Sequence, residues 1–571
     1  MLKTRLIAAG LALALPLAPL AARTPAVHHT PEAAVYPHGM VSAADPRAAA
    51  AGAEMLKKGG SATDAALAVM LALTVVEPQS SGIGGGGFLL VDDGKGHLAS
   101  LDGRERAPKA ANGTWFYVDG QPLPVPQAIP GGRSVGVPGS IALMAEAHKR
   151  WGKLPWATLF GPAIRLAGQG FDISPRMERM LNWASITGAL TPEGRALFYT
   201  AAGKAKPAGT HVQNPALAKF MARLAKEGPR AFYAGSNAAL IARTVAHAPL
   251  NPAPLAASDL AAYTATSRVP LCTTYRGWKL CGMAPPSSGA TTVFGILGML
   301  ERFDLPKLGK DNPVSWHLIA EAERLAYADR DRYLADADFV KVPAKALIDP
   351  GYLAARSDLI APDHSMAQAA PGVPLGAVAL ADTFTADVPS TSHFVAVDKA
   401  GRAATYTSTI ESPFGSGLMV NGYYLNNELT DFSLVPVRDG VPVANRVEGG
   451  KRPRSAMSPT LVYDPAGKLR LAIGAAGGAT IPAQVVKAII AVIDWKLPAR
   501  EAIALPVIFA PGDTVFVEKG SSAEGLIAPL TALGHKVQAR DASFKANAVE
   551  IVSGEPVGAA DPRSEGAAVA P

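Results

Sequence analysis

The sequence has little of what metal-binding and nucleic-acid-binding proteins use. Only two of its 571 residues are cysteine, and neither C-x-x-C nor H-E-x-x-H spacing occurs among the cysteines and the eleven histidines. The common thiolate and histidine metal motifs are therefore missing. No Lys/Arg-rich run is visible and the net charge is a modest +7, which argues against nucleic-acid binding. We expect no metal, no organic cofactor and no nucleic-acid partner.

Long hydrophobic runs are also scarce. Lys3 and Arg5 precede an apolar run at 6–20 that contains two prolines and ends in small residues at Ala21-Ala22. This layout predicts a secretory signal peptide, residues 1–22. A membrane anchor is the alternative, but about 15 apolar residues are few for a span. No later stretch reaches about 18 apolar residues, so we expect a periplasmic or secreted protein without a membrane span in its mature chain.

The two cysteines, Cys272 and Cys281, flank a segment that reads as a hairpin, Thr-Thr-Tyr-Arg-Gly-Trp-Lys-Leu. In an exported protein, a disulfide across this hairpin and a pair of free thiols both fit the sequence. No group beside either residue would clearly lower a thiol pKa, so a catalytic cysteine is not expected.

What the chain does contain is enough apolar sequence for a large core. Apolar residues make up 49% and charged residues 18%, which excludes global disorder. A helical pattern begins at Asp45-Pro46 and ends at Gly59-Gly60, and a capping-box-like start at Ser61 opens a second helix that reaches Val76. Apolar strand pairs alternate with further helices, which favours layered α/β packing.

A glycine run at 82–87 follows the second helix and precedes a strand at 88–91. A dinucleotide-binding fingerprint has the opposite order, because it follows a strand and opens a helix. We therefore expect backbone that passes close to another segment, at the wall of a site.

Further helical patterns occur at 214–227, 236–247 and 314–334. The last mixes acidic and basic residues, which is typical of a solvated face with i,i+4 ion pairs. Residues 361–388 are rich in Ala, Pro and Asp without a regular period, so we expect an exposed connector there. A pattern at 481–495 predicts an amphipathic helix.

The most informative stretch runs from 389 to 432. His393 opens a short apolar run of strand type, a turn follows at 399–401, and residues 403–409 read as the returning strand of a hairpin. On residue type alone, Thr391 is an ordinary β-branched residue at a strand start. The stretch ends in a cluster too polar for a simple buried strand, made of Asn426, Asn427, Glu428 and Asp431.

As a whole this stretch resembles the start of the small subunit of γ-glutamyltransferases (glutathione hydrolases), and the segment 57–88 is similar to the N-terminal signature of the same family. In that family the threonine of T-[ST]-H-[FYL], here Thr391, becomes a new N-terminus by self-cleavage and serves as the nucleophile. The resemblance covers nearly all of residues 35–571. It implies an α/β (α+β) fold, an αββα sandwich of the N-terminal-nucleophile hydrolase type, formed jointly by two chains cut from one precursor.

An N-terminal threonine supplies both a hydroxyl nucleophile and an α-amino base of pKa about 7.7–8. Neither acts in this way while Thr391 is in mid-chain, so the resemblance implies scission of the Ser390–Thr391 bond. The expected products are a large subunit, 23–390, and a small catalytic subunit, 391–571, which remain associated. We expect the large subunit to be ordered from 33–44 onward and to end in a flexible connector, 361–390.

The resemblance also implies roles for other residues. Gly477 and Gly478 match the family glycines whose backbone amides stabilise the oxyanion, and Thr409 matches a threonine that hydrogen-bonds the nucleophile and its amine. A γ-glutamyl donor carries an α-carboxylate and an α-ammonium. The residues expected to bind these two groups are Arg104 and Ser455 for the carboxylate, and Glu428 and Asp431 for the ammonium.

Three departures from the family pattern bear on donor preference. Glu411 stands where the family usually has asparagine, Ala456 replaces the second serine of a Ser-Ser pair, and the loop 434–450 is fairly short and has no aromatic residue. Losing a hydrogen-bond donor to a charged carboxylate costs roughly 1.5–3 kcal/mol, and Glu411 adds negative charge. We therefore hypothesise weaker glutathione binding and a more open pocket.

The predicted function is that of a self-processing γ-glutamyltransferase or glutathione hydrolase. Its donor would be glutathione or another γ-glutamyl compound, and its acceptor water or the amine of an amino acid or peptide. The first alternative is the same fold acting on another amide, such as a glutaryl-type β-lactam side chain. The second is a non-catalytic exported scaffold. The sequence leaves open the true donor, the balance of transfer and hydrolysis, and the oligomeric state.

Overall fold

The computed structural model describes residues 35–383, 390–541 and 544–571. The predicted signal peptide, 1–22, and the part of the connector at 384–389 lie outside the described residues. Two large sheets contain thirteen strands. In chain order these are β1 Met40–Ala43, β2 Gly86–Asp92, β3 Leu98–Asp102, β4 Thr266–Arg268, β5 Leu271–Tyr275, β6 Trp278–Gly282, β7 Ser392–Val397, β8 Ala403–Thr409, β9 Thr460–Tyr463, β10 Leu469–Ala476, β11 Lys545–Val552, β12 Glu555–Ala560 and β13 Ala567–Val569.

The two sheets lie face to face. The first has seven strands in the order β13-β1-β7-β8-β2-β3-β4, and the second has six in the order β12-β11-β10-β9-β6-β5. Their pairings are antiparallel. Strands β7 and β8 of the first sheet pack against β10 and β11 of the second. The predicted hairpin of β7 and β8 is thus confirmed, and it lies at the centre of the molecule.

Helices cover the outer face of each sheet. The helix α2 packs on β7 and β8, while α8 and α11 pack on β5 and β10 of the second sheet. This order of layers confirms the predicted αββα sandwich. The helices of eight or more residues are α1 Pro46–Lys57, α2 Ala62–Val76, α3 Ser140–Trp151, α4 Gly161–Gln169, α5 Pro175–Trp183, α6 Pro215–Glu227, α7 Gly235–Ala246, α8 Gly289–Leu300, α9 Pro313–Tyr333, α10 Pro350–Ser357 and α11 Ile481–Ile493.

Shorter elements occupy the connections. The short helices are Val125–Ala128, Trp156–Leu159, Ser185–Gly188, Pro192–Phe198, Arg230–Tyr233, Ala257–Ala261, Leu305–Leu308, Ala346–Ile348, Glu428–Asp431, Gly478–Thr480, Ala499–Ala504, Ser522–Leu526 and Ile527–Ala532. The short strands are Tyr117–Val118, Gln121–Pro122, Phe171–Asp172, His211–Val212, Met419–Val420, Tyr423–Tyr424, Val437–Arg438, Val441–Pro442, Ile508–Phe509, Thr514–Glu518 and Lys536–Arg540.

The first two helices begin as their sequences predict. Asp45 caps α1 by accepting the backbone N–H of Arg47, and proline occupies the first turn, where its missing N–H costs nothing. Ser61 and Asp64 form a reciprocal capping box at the start of α2. All fifteen residues of α2 are buried, so the side of this helix that faces away from the sheet is also covered.

The prediction of a solvated charged face on α9 is wrong. Five of its charged side chains are at most 7% exposed. Neighbouring loops cover the helix and satisfy its charges: Glu321 accepts the backbone N–H of Met366 at 2.8 Å, and Arg324 donates to the carbonyl of Gly512 at 3.2 Å. The buried five are Glu321, Glu323, Arg324, Asp329 and Arg330.

The last long helix also differs from its prediction. The helix α11 ends at Ile493 rather than near Trp495, and every one of its residues is buried. It lacks a solvated face because α8 packs beside it, together with the short helix Ala499–Ala504.

The hairpin of β5 and β6 carries both cysteines. Cys272 and Cys281 face each other across the ladder and are joined by a disulfide. Within the three described ranges, no helix combines the length and apolarity needed to cross a bilayer.

Each sheet draws strands from both sides of the Ser390–Thr391 bond. In the first sheet β1 lies between β7 and β13, and β8 pairs with β2. In the second sheet β6 pairs with β9. The segments before and after the predicted cut are therefore interleaved by backbone hydrogen bonds.

Candidate active site

The predicted nucleophile lies at the end of the central hairpin. Thr391 immediately precedes β7, and Ser392 pairs with Ser408 of β8, so Thr391 meets Thr409. Their Oγ1 atoms are 3.2 Å apart, and both side chains are buried. Thr409 Oγ1 also accepts the backbone N–H of Glu411 at 2.7 Å. This second bond fixes the hydroxyl that faces Thr391.

The backbone at Thr391 is strained. Its φ is 141°, in a region that residues with a side chain rarely adopt and that is least favourable for a β-branched residue. Such strain persists where the surroundings impose it, often at reactive sites. On the preceding residue, the Ser390 hydroxyl donates to the carbonyl of Gln79 at 2.6 Å. The strain thus lies beside the peptide bond that is predicted to break.

The glycine run forms the floor beneath the two threonines. Gly86 pairs with Thr409, and a Cβ on Gly85 would lie 2.0 Å from the Thr409 carbonyl oxygen. A Cβ on Gly84 would lie equally close to the carbonyl oxygen of Tyr424. The predicted close approach of backbone is therefore confirmed, and side chains are excluded from these positions.

The predicted oxyanion glycines follow the last residue of β10. Gly477 and Gly478 have φ of 135° and 60°, conformations that favour glycine, and a short helical turn leads from them into α11. Ala476, just before them, pairs with Lys545 of β11. The Lys545 ammonium lies 3.3 Å from the hydroxyl of Ser392. The glycines and Thr391 are therefore at the same end of the sandwich.

Arg104 follows β3 and is only 1% exposed. Its guanidinium donates to the carboxylates of Glu428 and Asp431, and to the backbone carbonyls of Pro453 at 3.2 Å and Arg454 at 2.9 Å. Burial alone lowers the pKa of Arg104, but Glu428 and Asp431 outweigh burial and raise it. The residues predicted to bind opposite ends of a donor are thus bound to each other in the uncut chain, because a buried guanidinium requires anionic partners.

Four carboxyl groups surround this one guanidinium, since Glu105 and Glu411 also act on its charge. Burial raises the pKa of Glu428 to about 7, although Arg104 opposes the shift. Burial, followed by the charge of Glu428, also raises the pKa of Glu105. The pocket is therefore rich in carboxyl groups, and burial disfavours the charged forms of Glu105 and Glu428.

Three of these carboxylates could bind a cation. Oxygens of Glu411, Glu428 and Asp431 lie within 4.8 Å of one another. Among the described residues, Glu428 Oε2 is buried without a hydrogen-bond partner. Arg104 already supplies positive charge to two of the three, so the arrangement equally suits an ammonium group that approaches beside it.

Glu411 joins the acidic cluster to the threonines. Its backbone N–H binds Thr409, and its φ is 75°. This left-handed conformation is tolerated best by glycine and asparagine. Glutamate at 411 therefore imposes backbone strain as well as negative charge.

Ser455 and Ala456 directly follow the two residues whose backbone carbonyls accept hydrogen bonds from the Arg104 side chain. Ser455 Oγ accepts the N–H of Met457 at 3.2 Å, and its carbonyl accepts both the N–H and the hydroxyl of Ser288 at 2.7 Å. Ala456 is buried and offers no side-chain donor. The loop 434–450 contains the small ribbon of Val437–Arg438 and Val441–Pro442.

Two charged residues of this region were not predicted from the sequence. Glu77 and Lys545 form an ion pair of 2.8 Å, and both contact Ser392. Glu77 lies within the N-terminal signature, and Lys545 is a lone cation at the start of an apolar strand pattern. Each of these sequence features alone is a weak indication of a site, because nothing in the sequence indicates that the two residues meet.

Comparisons with known proteins agree with this geometry. A family model described as gamma-glutamyltranspeptidase matches residues 48–570. The glutathione hydrolase proenzyme of Escherichia coli (strain K12) is 36% identical over 541 residues, which cover 92% of this chain and 90% of that protein. The acylase ACY 1 proenzyme of Pseudomonas sp. (strain SE83) is 32% identical over 507 residues, 87% of each chain.

Among solved structures, the cephalosporin acylase from Bacillus halodurans is similar over 96% of this chain and 99% of its own, with 26% sequence identity and a TM-score of 0.83. The whole sandwich, and not only the hairpin with Thr391, is therefore shared with known enzymes.

Proposed function

The chain belongs to the gamma-glutamyltranspeptidase family, and from that premise we propose that it is a self-processing enzyme that cleaves γ-glutamyl amide bonds. The observation that carries the proposal is the buried pair of Thr391 and Thr409 hydroxyls, 3.2 Å apart, at a residue whose backbone is strained. Glutathione or a related γ-glutamyl compound is the proposed donor. Water, or the amine of an amino acid or peptide, is the proposed acceptor.

The first step is self-cleavage. The Thr391 hydroxyl attacks the carbonyl carbon of Ser390, the C–N bond breaks, and the departing nitrogen takes up the hydroxyl proton. Water then hydrolyses the resulting ester, leaving a carboxylate on Ser390 and both a free amine and a free hydroxyl on Thr391. The φ of 141° at Thr391 supports this step, because scission releases the strain stored beside the bond.

Turnover uses the new N-terminus. The α-amine of Thr391 accepts the proton of its own hydroxyl as Oγ1 attacks the γ-carbonyl carbon, and that proton passes to the leaving amine. The oxyanion is stabilised by the backbone N–H groups of Gly477 and Gly478. Attack by water or an acceptor amine on the γ-glutamyl ester then restores the free hydroxyl.

The donor's amino-acid end fits the Arg104 cluster. Its α-carboxylate would displace carboxylates from Arg104, with Ser455 assisting, and its α-ammonium would bind Glu428 and Asp431. Every charged group keeps a partner of opposite charge in this exchange, because the donor brings one positive and one negative group into a site that holds both. Until a donor binds, the ion pairs of the uncut chain keep the guanidinium and the two carboxylates in place.

Export fits this role. We propose that residues 1–22 direct the precursor to the periplasm or outside the cell, and that 23–390 and 391–571 are the subunits of the mature enzyme. The disulfide of Cys272 and Cys281 suits an oxidising compartment.

Intact-mass spectrometry of the purified protein tests the proposal, combined with an assay of γ-glutamyl anilide turnover with and without an acceptor dipeptide. We expect two fragments that meet at Ser390 and Thr391, and release of the anilide that the dipeptide accelerates. The Thr391→Ala variant should remain uncut and inactive. An active enzyme whose Thr391 nitrogen is still acylated would contradict the mechanism, and an uncut, inactive natural chain would favour a scaffold.

A second candidate is an amidohydrolase of the same fold that removes a glutaryl-type side chain from a β-lactam. The similarity to an acylase proenzyme and the departures at Glu411 and Ala456 favour it. A substrate panel separates the two, since the acylase would turn over glutaryl amides faster than γ-glutamyl amides.

A further inference from the structure

A buried ion pair touches the strand that carries the nucleophile. Lys545 Nζ lies 2.8 Å from Glu77 Oε2, and both side chains are at most 2% exposed. The Ser392 hydroxyl donates to the same Glu77 oxygen at 2.6 Å and lies 3.3 Å from Lys545 Nζ. Since Ser392 directly follows Thr391, the pair holds the residue next to the predicted nucleophile.

The pair also connects separate parts of the site. Glu77 caps the C-terminal end of α2, whereas Lys545 is the first residue of β11. Lys545 pairs with Ala476, directly before the predicted oxyanion glycines, and its ammonium lies 3.3 Å from the hydroxyl of Ser80. Lys545 thus connects the end of α2 and the start of β7 through its ammonium, and reaches the end of β10 through backbone pairing.

Stability alone does not account for this arrangement. Burial lowers the pKa of Lys545 to about 8, although Glu77 favours its charged form, so the ammonium is held at a desolvation cost. Apolar residues in place of a buried ion pair often stabilise a protein. Arg176 Nε lies 4.0 Å from Glu77 Oε1, and Glu565 adds a further charge nearby. A charged group that is buried at this desolvation cost beside a predicted cleavage site indicates that it holds neighbouring groups in position.

We propose that Glu77 and Lys545 are positioning residues that hold the Ser392 hydroxyl, and through it Thr391, in the geometry needed for self-cleavage and turnover. The inference rests on the proposed cut at Ser390–Thr391. It assigns no chemical step to either residue, because the pair acts on the reacting atoms through Ser392. The pair remains after the cut, when Glu77 belongs to one subunit and Lys545 to the other.

Four variants test the proposal: Lys545→Met, Ser392→Ala, Ser392→Thr and Lys487→Met. Lys487 is the matched control, since it is also buried but donates to the carbonyls of Ile503 and Leu505. The fraction of cut chain is measured by intact mass at fixed times after cell-free synthesis of the full chain. The mature forms are then assayed for kcat and KM with γ-glutamyl anilide.

We expect Lys545→Met and Ser392→Ala each to slow cutting at least tenfold and to lower kcat, with KM within twofold of the natural chain. Ser392→Thr keeps the hydroxyl and should restore cutting to within threefold, as should Lys487→Met. Cutting of Ser392→Ala at the natural rate would overturn the proposal even if Lys545→Met failed to fold. Equal slowing by both lysine variants would also overturn it. A natural chain that is never cut would instead refute the proposed function.

Discussion

At the scale of single residues, Glu411 brings backbone strain, a hydrogen bond and negative charge together in the candidate site. The residue combines a left-handed backbone, a bond to Thr409 and a carboxylate beside Glu428 and Asp431. Asparagine would relieve the strain, remove one negative charge and keep a polar side chain in the pocket. We therefore expect the identity of residue 411 to affect both stability and donor binding.

We predict that Glu411→Asn combined with Ala456→Ser raises kcat/KM for glutathione about tenfold, because a donor to the bound carboxylate is worth roughly 1.5–3 kcal/mol. Steady-state kinetics of the natural chain, both single variants and the double variant measure this effect. Unchanged kcat/KM in the double variant would refute the hypothesis that donor preference has drifted.

The resemblance to a known family, rather than residue type alone, led to the prediction of Thr391, Thr409 and the two glycines as site residues. It did not reveal that Arg104 binds Glu428 and Asp431 before any donor arrives. Partners 324 and 327 residues away are fixed by tertiary packing, which local pattern does not encode. Lys545 and Glu77 were missed for the same reason, since 468 residues separate them.

At the scale of elements, the glycine run shows why backbone can be essential where no side chain acts. Gly85, directly before β2, lies so close to the end of β8 that a methyl group there would meet the carbonyl oxygen of Thr409. Any side chain at 85 must push β2 away from β8 or move Thr409 itself. The position of Thr409, the neighbour of the predicted nucleophile, thus depends on the absence of a Cβ at residue 85.

We predict that Gly85→Ala lowers stability by about 1–3 kcal/mol, as overpacking does, and slows self-cleavage at least tenfold. The control is Gly525→Ala, where the described residues place no atom within 4 Å of the added Cβ and the effect should stay within about 0.5 kcal/mol. Denaturant unfolding and intact mass measure both. Natural cutting in Gly85→Ala would contradict the role of this close approach.

The sequence predicted the boundaries of helices and strands where capping residues and turns define them. Asp45, Ser61 and the turn at 399–401 led to α1, α2 and the central hairpin. Exposure was harder to predict, and α9 is the clearest example. Its charges resemble a solvated face in sequence, but loops distant along the chain bury them and satisfy them with backbone groups. Periodicity reports which residues share a face, not what covers that face.

At the scale of the whole molecule, the strand order determines what the cut can separate. The strand β1 lies between β7 and β13, β2 pairs with β8, and β6 pairs with β9. Each of these ladders joins a segment before Thr391 to one after it. Breaking a single peptide bond leaves all of these hydrogen bonds in place.

We therefore predict that the two fragments co-elute as one species in size-exclusion chromatography after self-cleavage, and separate only in denaturant. Intact mass of the eluted peak identifies both fragments. As a control, the uncut Thr391→Ala chain should elute at the same volume. A free 391–571 fragment under native conditions would contradict the interleaved sheets.

The first and last strands of the sandwich are neighbours, with Val41 opposite Val569. A short linker between these two strands would make the chain circular. New termini could then be placed at Ser390 and Thr391. Circular permutation of this kind is tolerated where the joined ends lie close together. A gene rearranged in that order would encode Thr391, the proposed nucleophile, as the first residue after the initiator methionine. Removal of that methionine would then supply the free amine, and the maturation event would become dispensable.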